Sequence, residues 1–320
     1  MRIQAVLLAG DRGASRAVQG RSKPHLELAG KPMFVHVLEA LLHTPEVSEV
    51  FIVGAPEPIE RALREHGCLE LAAVRSRPIH VVPQRDTLYQ NLWHTFLRTL
   101  PRRDGPADHP ILIVPCDIPM VVPEEISQFV RAAFASGGDY VVGLSPDVAL
   151  ERFRPRDGSP GIEMAYFNLA EGRFRQNNLH FVRPLRFENR HYIQDMYEHR
   201  YQKEFGHMLK LALRILRREY RRLWIVFYYL LIHLAGWLDR NGHPELARRV
   251  RRRVPLATVE RGLSGLLRTR FRLVMTDLGG AAVDVDNEHD LAVATKLFHR
   301  WKEMQARLAR SEPSGREHAA

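Results

Sequence analysis

The sequence predicts an α/β protein, built on a mainly parallel sheet with helices on both faces and extended by a helical insertion. Its first 150 residues alternate short apolar runs with segments of helical periodicity. Ile3–Ala9 is such a run, typical of a strand buried on both faces. Met33–His43 places its apolar residues at helical spacing after Pro32, which suits the start of a helix. Alternation of this kind is typical of parallel sheets whose crossovers are helices.

The remaining elements of this first part continue the pattern. Further strands are predicted at Glu49–Val53, Ile79–Val82, Ile111–Val114 and Asp139–Leu144. Further helices are predicted at Pro58–His66, Thr87–Thr99 and Pro123–Ala135. In open sheets of this kind, ligands bind at the carboxyl ends of the strands. The loops that follow the strands are therefore the places to look for a site.

After residue 145 the pattern changes. Ser145–Glu188 is rich in loop-forming residues, and 192–222 is helical and basic. Later helices are predicted at Leu223–Leu238, Pro244–Arg253, Leu256–Leu267 and Asp290–Arg307, and later strands at Phe271–Met275 and Ala281–Val285. The simplest organisation is a sheet domain made of 1–150 and 270–305, an insertion at 151–269 and a disordered tail at 306–320.

The net charge of +10 is concentrated in one region. Between Arg200 and Arg253 there are fourteen Lys and Arg residues against four acids, so this stretch carries the whole excess. Such asymmetry indicates an anionic partner: a membrane surface, a nucleic acid or a phosphorylated substrate. Two cysteines without ligand spacing and an N-terminus without a secretory leader favour a cytoplasmic protein.

The loop after the first strand is the first candidate site. Leu8, Ala9, Gly10 and Asp11 end the strand, and Gly13, Arg16 and Lys23 follow in the loop. Backbone N–H groups brought close by glycine can cradle phosphate oxygens, and basic side chains add charge-assisted hydrogen bonds. The alternative is an ordinary strand–helix loop with solvated charges. The spacing matches neither a Walker loop nor a dinucleotide fingerprint.

This N-terminus resembles that of the MobA-like NTP transferases. The resemblance rests on three segments: 7–10 (LLAG), 22–24 (SKP) and 28–33 (LAGKPM). It implies a Rossmann-like sheet of the nucleotide-diphospho-sugar transferase type, in which Gly10 and its loop wrap a triphosphate that Lys23 neutralises. The family's Arg-Met-Gly triplet before the lysine is missing, and 16–18 (RAV) and 20–21 (GR) are imperfect substitutes, so either Arg16 or Arg21 could meet the phosphates.

Asp117 is the second candidate. A buried strand, Ile111–Val114, delivers this carboxylate at its end, and Pro119 follows two residues later. Mg²⁺ takes one or two carboxylates together with substrate phosphate oxygens. The family has a strand, then an Asp, then a Pro two residues later, and this sequence reproduces that pattern. The resemblance therefore implies a metal role for Asp117. The alternative is a turn or capping aspartate.

Asp284 and Asp286 form the third candidate. They resemble the family's closing strand, whose acidic residue supplies the second metal carboxylate before the last helix. Register favours Asp284 and then Asp286, but alternation in a strand places both on one face and leaves them hard to separate. Asp290 falls in the first turn of the last helix, where a negative charge suits the helix dipole, so its role is predicted to be structural.

Two further groups are assigned mainly by the resemblance. Gln84, Thr87 and Asn91 occupy the place where the family contacts base and ribose; the alternative is a capped helix start. Asn178, with Arg175 and Arg183, matches a segment of one uncharacterised branch and is proposed to hold the acceptor. The alternative for these three is a turn asparagine next to solvated arginines.

The apolar stretch Leu223–Leu238 has sixteen residues, fewer than the roughly twenty that a spanning helix needs. A buried helix is favoured over an interfacial helix whose flanking arginines meet anionic headgroups, and over a dimer contact. Nucleic-acid binding is not favoured, because no aromatic-basic motif of the RNA-binding type is present.

Together these features predict a Mg²⁺-dependent nucleotidyltransferase. Its substrates would be an NTP, with CTP or GTP favoured, and a phosphorylated alcohol, sugar or lipid headgroup. A glycosyltransferase is the alternative enzyme, although its usual paired Asp-x-Asp is absent at Asp117. A degenerate nucleotide- or membrane-binding scaffold is the alternative outside enzymes, and a homodimer stays open.

Overall fold

The computed structural model describes residues 1–11, 22–99, 109–156, 158–188 and 223–311. The predicted helix at 192–222, the loop residues Gly13, Arg16 and Arg21, and residues 312–320 of the predicted tail lie outside the described residues. The first part of that tail, 306–311, is not disordered as predicted but continues the last helix. Across the described ranges the chain forms one large sheet covered by helices, as the sequence predicts.

Ten strands and ten α-helices make up the described part of the fold. The strands are β1 (Ile3–Ala9), β2 (Glu27–Leu28), β3 (Lys31–Pro32), β4 (Val47–Gly54), β5 (Ile79–Pro83), β6 (Ile111–Pro115), β7 (Tyr140–Pro146), β8 (Phe167–Leu169), β9 (Gly172–Val182) and β10 (Phe271–Met275). The helices are α1 (Met33–His43), α2 (Pro56–Glu65), α3 (Cys68–Val74), α4 (Leu88–Thr99), α5 (Pro123–Ala135), α6 (Asp147–Leu150), α7 (Leu223–Arg240), α8 (Pro244–Arg251), α9 (Leu256–Leu267) and α10 (Glu288–Ser311).

The main sheet has the order β10-β7-β9-β6-β1-β4-β5, with β8 paired to β9. The pairs β1–β4, β1–β6, β4–β5 and β7–β10 are parallel, whereas β9 runs antiparallel to β6, β7 and β8. β9 therefore inverts the local strand direction. Its first residues lie at the edge where the parallel strands end, and its last residues lie at the opposite edge.

Strand β9 was not predicted, and it places part of the 151–269 insertion inside the sheet. Its polar residues hide the strand pattern, yet Phe174, Leu179 and Phe181 are buried. An irregularity in its pairing with β7 lies opposite Gly143, where a side chain would meet the amide of Asn177 at 2.0 Å. The next residue, Asn178, takes a positive φ of 59°.

Separate apolar layers cover the two faces of the sheet. On one face, α1, α2 and α5 pack through buried residues such as Phe34 and Phe129. On the other face, α4 and α9 contribute Phe96 and Leu266. The last helix, α10, packs through Trp301 against the segment that precedes it, 280–287, which is called the closing segment below.

The segment before α10 differs from the prediction. Ala281–Val285 is not a strand: Gly280–Ala282 form a 3₁₀ turn, and an unpaired extended stretch carries Asp284 and Asp286 to the helix. One hydrogen bond, from the Val285 N–H to the Asp117 carbonyl at 2.9 Å, fixes this stretch beside the end of β6.

Candidate active site

The candidate site lies where β1 and β6 end. The Cys116 N–H donates to the Leu8 carbonyl at 3.1 Å, so the ladder between these strands continues one residue past β6. Asp117 follows directly, and Gly10 leaves β1 on the neighbouring strand. The parallel topology thus brings together two loops that are separated by more than a hundred residues in sequence.

Lys23 is the centre of this site. It lies in the 3₁₀ turn Lys23–His25, and its ammonium contacts Asp286 Oδ1 at 2.6 Å and Asp117 Oδ2 at 3.3 Å. Its side chain is only 10% exposed. Burial alone would lower the pKa of Lys23, but the two carboxylates outweigh it and raise that pKa above its ordinary value. The lysine is therefore held as a cation.

Asp117 has the opposite electrostatic balance. Burial raises the pKa of its carboxyl, Lys23 lowers it, and the nearby Asp284 and Asp286 raise it further, with a net upward shift. Three carboxylates are thus close enough to repel one another, and Lys23 relieves part of that repulsion. Perturbed pKa values of this kind cluster at functional sites.

Asp284 and Asp286 turn to different partners. Asp286 shares Lys23 with Asp117, whereas Asp284 Oδ1 pairs with the Arg175 guanidinium at 2.5 Å. Arg175 also donates to the Ala282 carbonyl at 2.9 Å. Because the segment is not a regular strand, its alternating residues need not share one face. Of the two, Asp286 is the one that meets Asp117 at a common cation.

Asp290 has the structural role that was predicted. Its carboxylate accepts hydrogen bonds from the Asp286 N–H at 3.2 Å and from the Asn287 side chain at 2.7 Å. Asn287 in turn accepts from the Asp290 N–H at 2.9 Å. This reciprocal capping begins α10 and fixes the backbone of Asp286.

Gln84 joins the loop after β1. Its Oε1 accepts from the Asp11 N–H at 3.0 Å, and its amide also donates to the Asp11 carboxylate. At Gly10 a Cβ would meet Gln84 Oε1 at 2.9 Å, so glycine allows this close approach. The site thus gains a polar rim from the residue that follows β5, another strand that ends at this edge.

Thr87 and Asn91 make local contacts instead. Thr87 Oγ1 accepts from the Gln90 N–H at 3.1 Å, as an N-cap does, and Asn91 Oδ1 accepts from the Arg85 N–H at 2.5 Å. The alternative that the sequence allowed, a capped start of α4, is present for Thr87. The structure does not join either residue to the Lys23 cluster.

Of the three proposed acceptor residues, Arg175 and Asn178 lie at the closing segment. The Asn178 amide is buried and donates to the Ala281 carbonyl at 3.5 Å. The structure places Arg183 away from these two residues, contrary to the prediction. Arg183 lies at the other end of the antiparallel β9, where its guanidinium is 4.0 Å from Asp139. Eight residues of strand separate it from Arg175 by about 26 Å, so it does not belong to this site.

A buried polar network supports the closing segment and was missed by sequence reasoning. Glu125 on α5 accepts from Thr276 Oγ1 at 2.9 Å, from the Gly279 N–H at 3.0 Å and from the Ala281 N–H at 2.9 Å. Asn177 donates to Thr276 at 2.9 Å. A lone glutamate in an amphipathic helix carries no sequence signal for this role, because its partners lie more than 150 residues away.

The carboxylates suit a hard divalent cation only together with other ligands. Among the residues that the structure describes, no three His, Cys, Asp or Glu side chains form a complete metal site. Asp117 and Asp286 nevertheless converge on one ammonium, and a Mg²⁺ ion normally needs one or two carboxylates, with water and phosphate oxygens as its other ligands. The donor set fits a metal that arrives with a nucleotide.

Comparison with known proteins gives the family of the chain. A family model described as MobA-like NTP transferase domain matches residues 5–273. The chain belongs to the MobA-like NTP transferase domain family. The matched range contains Lys23 and Asp117, whereas Asp284 and Asp286 follow it. The contact of Lys23 with Asp286 joins the matched range to the segment that follows it.

Individual relatives are nucleotidyltransferases or transferases by name. A 2-C-methyl-D-erythritol 4-phosphate cytidylyltransferase from Dehalococcoides mccartyi is 27% identical over 167 residues, which are 49% of this chain and 67% of that protein. A hypothetical transferase from Thermus thermophilus superposes with a TM-score of 0.55 at 25% identity, covering 91% of this chain and 100% of that one. A CMP:2-keto-3-deoxy-manno-octonic acid synthetase complexed with CTP gives a TM-score of 0.48 at 16% identity, covering 94% and 99%.

Proposed function

We propose that the protein transfers a nucleoside monophosphate from an NTP to a phosphorylated alcohol or sugar and releases pyrophosphate. The observation that carries the proposal is the convergence of Asp117 and Asp286 on Lys23, beside Gly10 at the carboxyl edge of the sheet. A buried cation between two carboxylates suits the neutralisation of a triphosphate. Family membership supplies the reaction class.

The donor triphosphate binds at the loop after β1. The loop starts at Gly10, where the absence of a side chain lets Gln84 Oε1 approach the backbone, and Lys23 adds its positive charge for the phosphate oxygens. Gln84, bonded to Asp11, forms the neighbouring wall and faces the base or ribose. Gly13 and Arg16 belong to the same loop in sequence and remain proposed phosphate contacts.

Asp117 and Asp286 would hold Mg²⁺, with Asp284 as the third nearby carboxylate. When bound, the ion neutralises charge on the phosphate oxygens. Lys23 already performs part of this role for the carboxylates, so its ammonium exchanges Asp117 for a phosphate oxygen when the nucleotide enters. Binding of the donor would thus release the Asp117 carboxylate from Lys23 and leave it available to Mg²⁺.

The acceptor binds beside the closing segment, near Arg175 and Asn178. Arg175 donates one N–H each to the Ala282 carbonyl, the Ala165 carbonyl and Asp284, and a guanidinium has five N–H donors, so two remain for an acceptor phosphate. Asn178 is fixed by its left-handed backbone and its bond to Ala281. A phosphate held here would lie on the far side of Asp284 from Lys23.

The chemical step is an in-line displacement at the α-phosphorus. An oxygen of the acceptor phosphate forms the new P–O bond, the bond to the β-phosphate oxygen breaks, and pyrophosphate leaves with the electron pair. Because the acceptor phosphate is already anionic, no side-chain base is required. The protein contributes positioning through Arg175 and charge neutralisation through Lys23.

CTP is the proposed donor, with GTP as the next choice. The relative that covers half of this chain is named for cytidylyl transfer to a methylerythritol phosphate, which is a phosphorylated alcohol. We expect the reaction to take place in the cytoplasm, where NTPs are available. Both cysteines, Cys68 and Cys116, are buried free thiols, which suits a reducing compartment.

A substrate matrix tests the proposal. Each of the four common NTPs would be incubated with Mg²⁺ and a panel of tetritol, glycerol, inositol and hexose phosphates while pyrophosphate is measured. Release that requires both one NTP and one acceptor is expected. A parallel arm offers nucleotide sugars without NTP; sugar transfer in that arm, with no pyrophosphate in the first, would replace this function with glycosyl transfer.

A further inference from the structure

The outer face of α7 carries an exposed apolar stripe. Phe227, Leu230, Leu234 and Trp237 are 56%, 57%, 45% and 53% exposed. Their spacing of three and four residues places them in one row along the helix. The row is about 15 Å long at the rise of an α-helix. Single exposed apolar residues are ordinary, but a row of four large ones indicates an interaction surface.

The opposite face of α7 packs against the rest of the protein. Tyr228, Leu231 and Ile232 pack against the apolar cluster around Phe174, and Ala235 is fully buried. Near the end of the helix, Asp239 pairs with Arg173 on β9 at 3.3 Å. The helix is therefore anchored to the sheet through one face, and the exposed row is the face that this anchoring leaves outward.

The neighbouring helix α8 adds positive charge to this region. It packs against α7, and its Leu246 is 47% exposed. The arginines at 248, 249, 252 and 253 are all exposed. Between Asp239 and Arg253 the sequence has six arginines and two acids, which leaves a net charge of +4.

We propose that the α7–α8 surface, meaning the four-residue row, Leu246 and these arginines, docks on an anionic lipid bilayer with α7 parallel to the membrane plane. Apolar and aromatic side chains would enter the interfacial region while the arginines meet lipid phosphates. The helices that the structure describes include none long and apolar enough to cross a bilayer, so the contact is a surface one.

Charge decides between a membrane and a second copy of the chain. Pairing two copies through this surface would bring two arrays of +4 together, whereas a bilayer that contains anionic lipid attracts each of them. The proposal rests on α7 and α8 alone. It stands or falls independently of the nucleotidyl transfer proposed above.

Vesicle flotation tests the surface directly. The full chain would be mixed with vesicles of phosphatidylcholine alone, or with phosphatidylglycerol added at a roughly 7:3 ratio, and separated on a density gradient. We expect flotation with the anionic vesicles only, decreasing as salt rises. The variant Leu230→Glu/Leu234→Glu should reduce flotation at least tenfold, because two carboxylates replace apolar contacts in the row and are repelled by anionic lipid.

Matched controls keep this test interpretable. Leu69→Glu/Leu97→Glu places the same charges on leucines that are 43% and 47% exposed elsewhere, and it should float like the wild type. All variants should keep the circular dichroism of the parent, since the altered side chains are exposed. In addition, vesicles should shift Trp237 fluorescence to the blue, and Trp237→Phe should remove that shift.

Two results would overturn the proposal. One is the absence of flotation with anionic vesicles at low salt, or flotation that the Leu230→Glu/Leu234→Glu variant retains in full. The other is a dimer in light scattering that this variant converts to monomer, because the stripe would then be covered by a second copy. Neither result depends on enzymatic activity.

Discussion

The ammonium of Lys23 lies 2.6 Å from Asp286 Oδ1, although 263 positions separate the two residues in the chain. The same ammonium is 3.3 Å from Asp117 Oδ2. This contact joins the first loop of the fold to its last connection across the end of β6. It also defines a point at which two carboxylates already share one cation.

Removing that ammonium should make the thermal stability of the protein depend on a metal ion bound by the two carboxylates. We expect Lys23→Met to unfold at a lower temperature than wild type in EDTA, because Asp117 and Asp286 then face each other uncompensated. Added Mg²⁺ should restore the midpoint by several degrees, about what 1–2 kcal/mol produces in a chain of this size. Thermal unfolding with and without Mg²⁺ measures both effects.

Lys31→Met is the matched control. Lys31 pairs with Glu39 at 2.5 Å outside the candidate site. Its loss should lower the midpoint little and should create no response to Mg²⁺. An equal Mg²⁺ response in the two variants would show that Asp117 and Asp286 do not form the cation site.

Asp117→Asn should separate activity from stability. The folded-state pKa of Asp117 is raised, so its ionisation costs stability as pH rises from the unfolded pKa of 3.8 through the higher folded value. At neutral pH the asparagine variant should therefore be as stable as wild type or more stable. Pyrophosphate release should nevertheless fall about 100-fold or more, a typical effect of removing one charge-stabilising group.

The control for this prediction is Glu124→Gln, which neutralises an exposed acid on α5. It should change neither the stability at neutral pH nor the rate of pyrophosphate release. If Asp117→Asn unfolds several degrees earlier and keeps its activity, Asp117 has the turn or capping role that the sequence alone also allowed.

Arg175 and Arg183 provide a matched pair on one strand. Arg175→Ala should raise KM for the phosphorylated acceptor roughly tenfold to a hundredfold, the worth of one charge-assisted hydrogen bond, with KM for the NTP nearly unchanged. Arg183→Ala should change neither KM, because its guanidinium lies beside Asp139 at the other edge of the sheet. Steady-state kinetics with each substrate varied in turn checks this. If the two substitutions change the KM for the acceptor equally, Arg175 does not bind the acceptor.

Glu125 should be a positioning residue for the closing segment. In Glu125→Gln one carboxylate oxygen becomes an amide NH2, so one of the Gly279 and Ala281 N–H groups faces a donor where it needs an acceptor. We expect a loss of about 1–3 kcal/mol in the free energy of unfolding, the cost of a buried donor without a partner. Denaturant unfolding of this variant and of Glu124→Gln makes the comparison. If both variants unfold at the same denaturant concentration, the network does not hold the segment.

The sequence predicts the helix and strand pattern around the site well, because buried strands such as Ile111–Pro115 have an unbroken apolar character. It also places Asp117 at the sheet edge, since this residue stands two positions past such a strand, whereas the metal role of Asp117 was predicted from the family resemblance. Strand β9 escapes prediction because Arg175, Asn177 and Asn178 interrupt its apolar pattern, and their partners lie elsewhere in the chain.

The sequence register favours Asp284, whereas Asp286 is the one that shares Lys23 with Asp117 in the structure. This difference could not be predicted from sequence for a similar reason. It depends on the unpaired backbone after Gly280–Ala282 and on which cation each carboxylate meets. Both are long-range properties. Local pattern identifies the candidates, and the tertiary contacts of Lys23 and Arg175 distinguish them.

Label transfer tests the central claim most directly. The protein would be incubated with Mg²⁺, the phosphorylated acceptor identified by the substrate matrix, and CTP labelled at either the α- or the γ-phosphate. The account predicts that the α-label enters a new product containing the acceptor and that the γ-label appears only in pyrophosphate. Transfer of the γ-label to the acceptor, or release of the α-label as free CMP without a joined product, would contradict it.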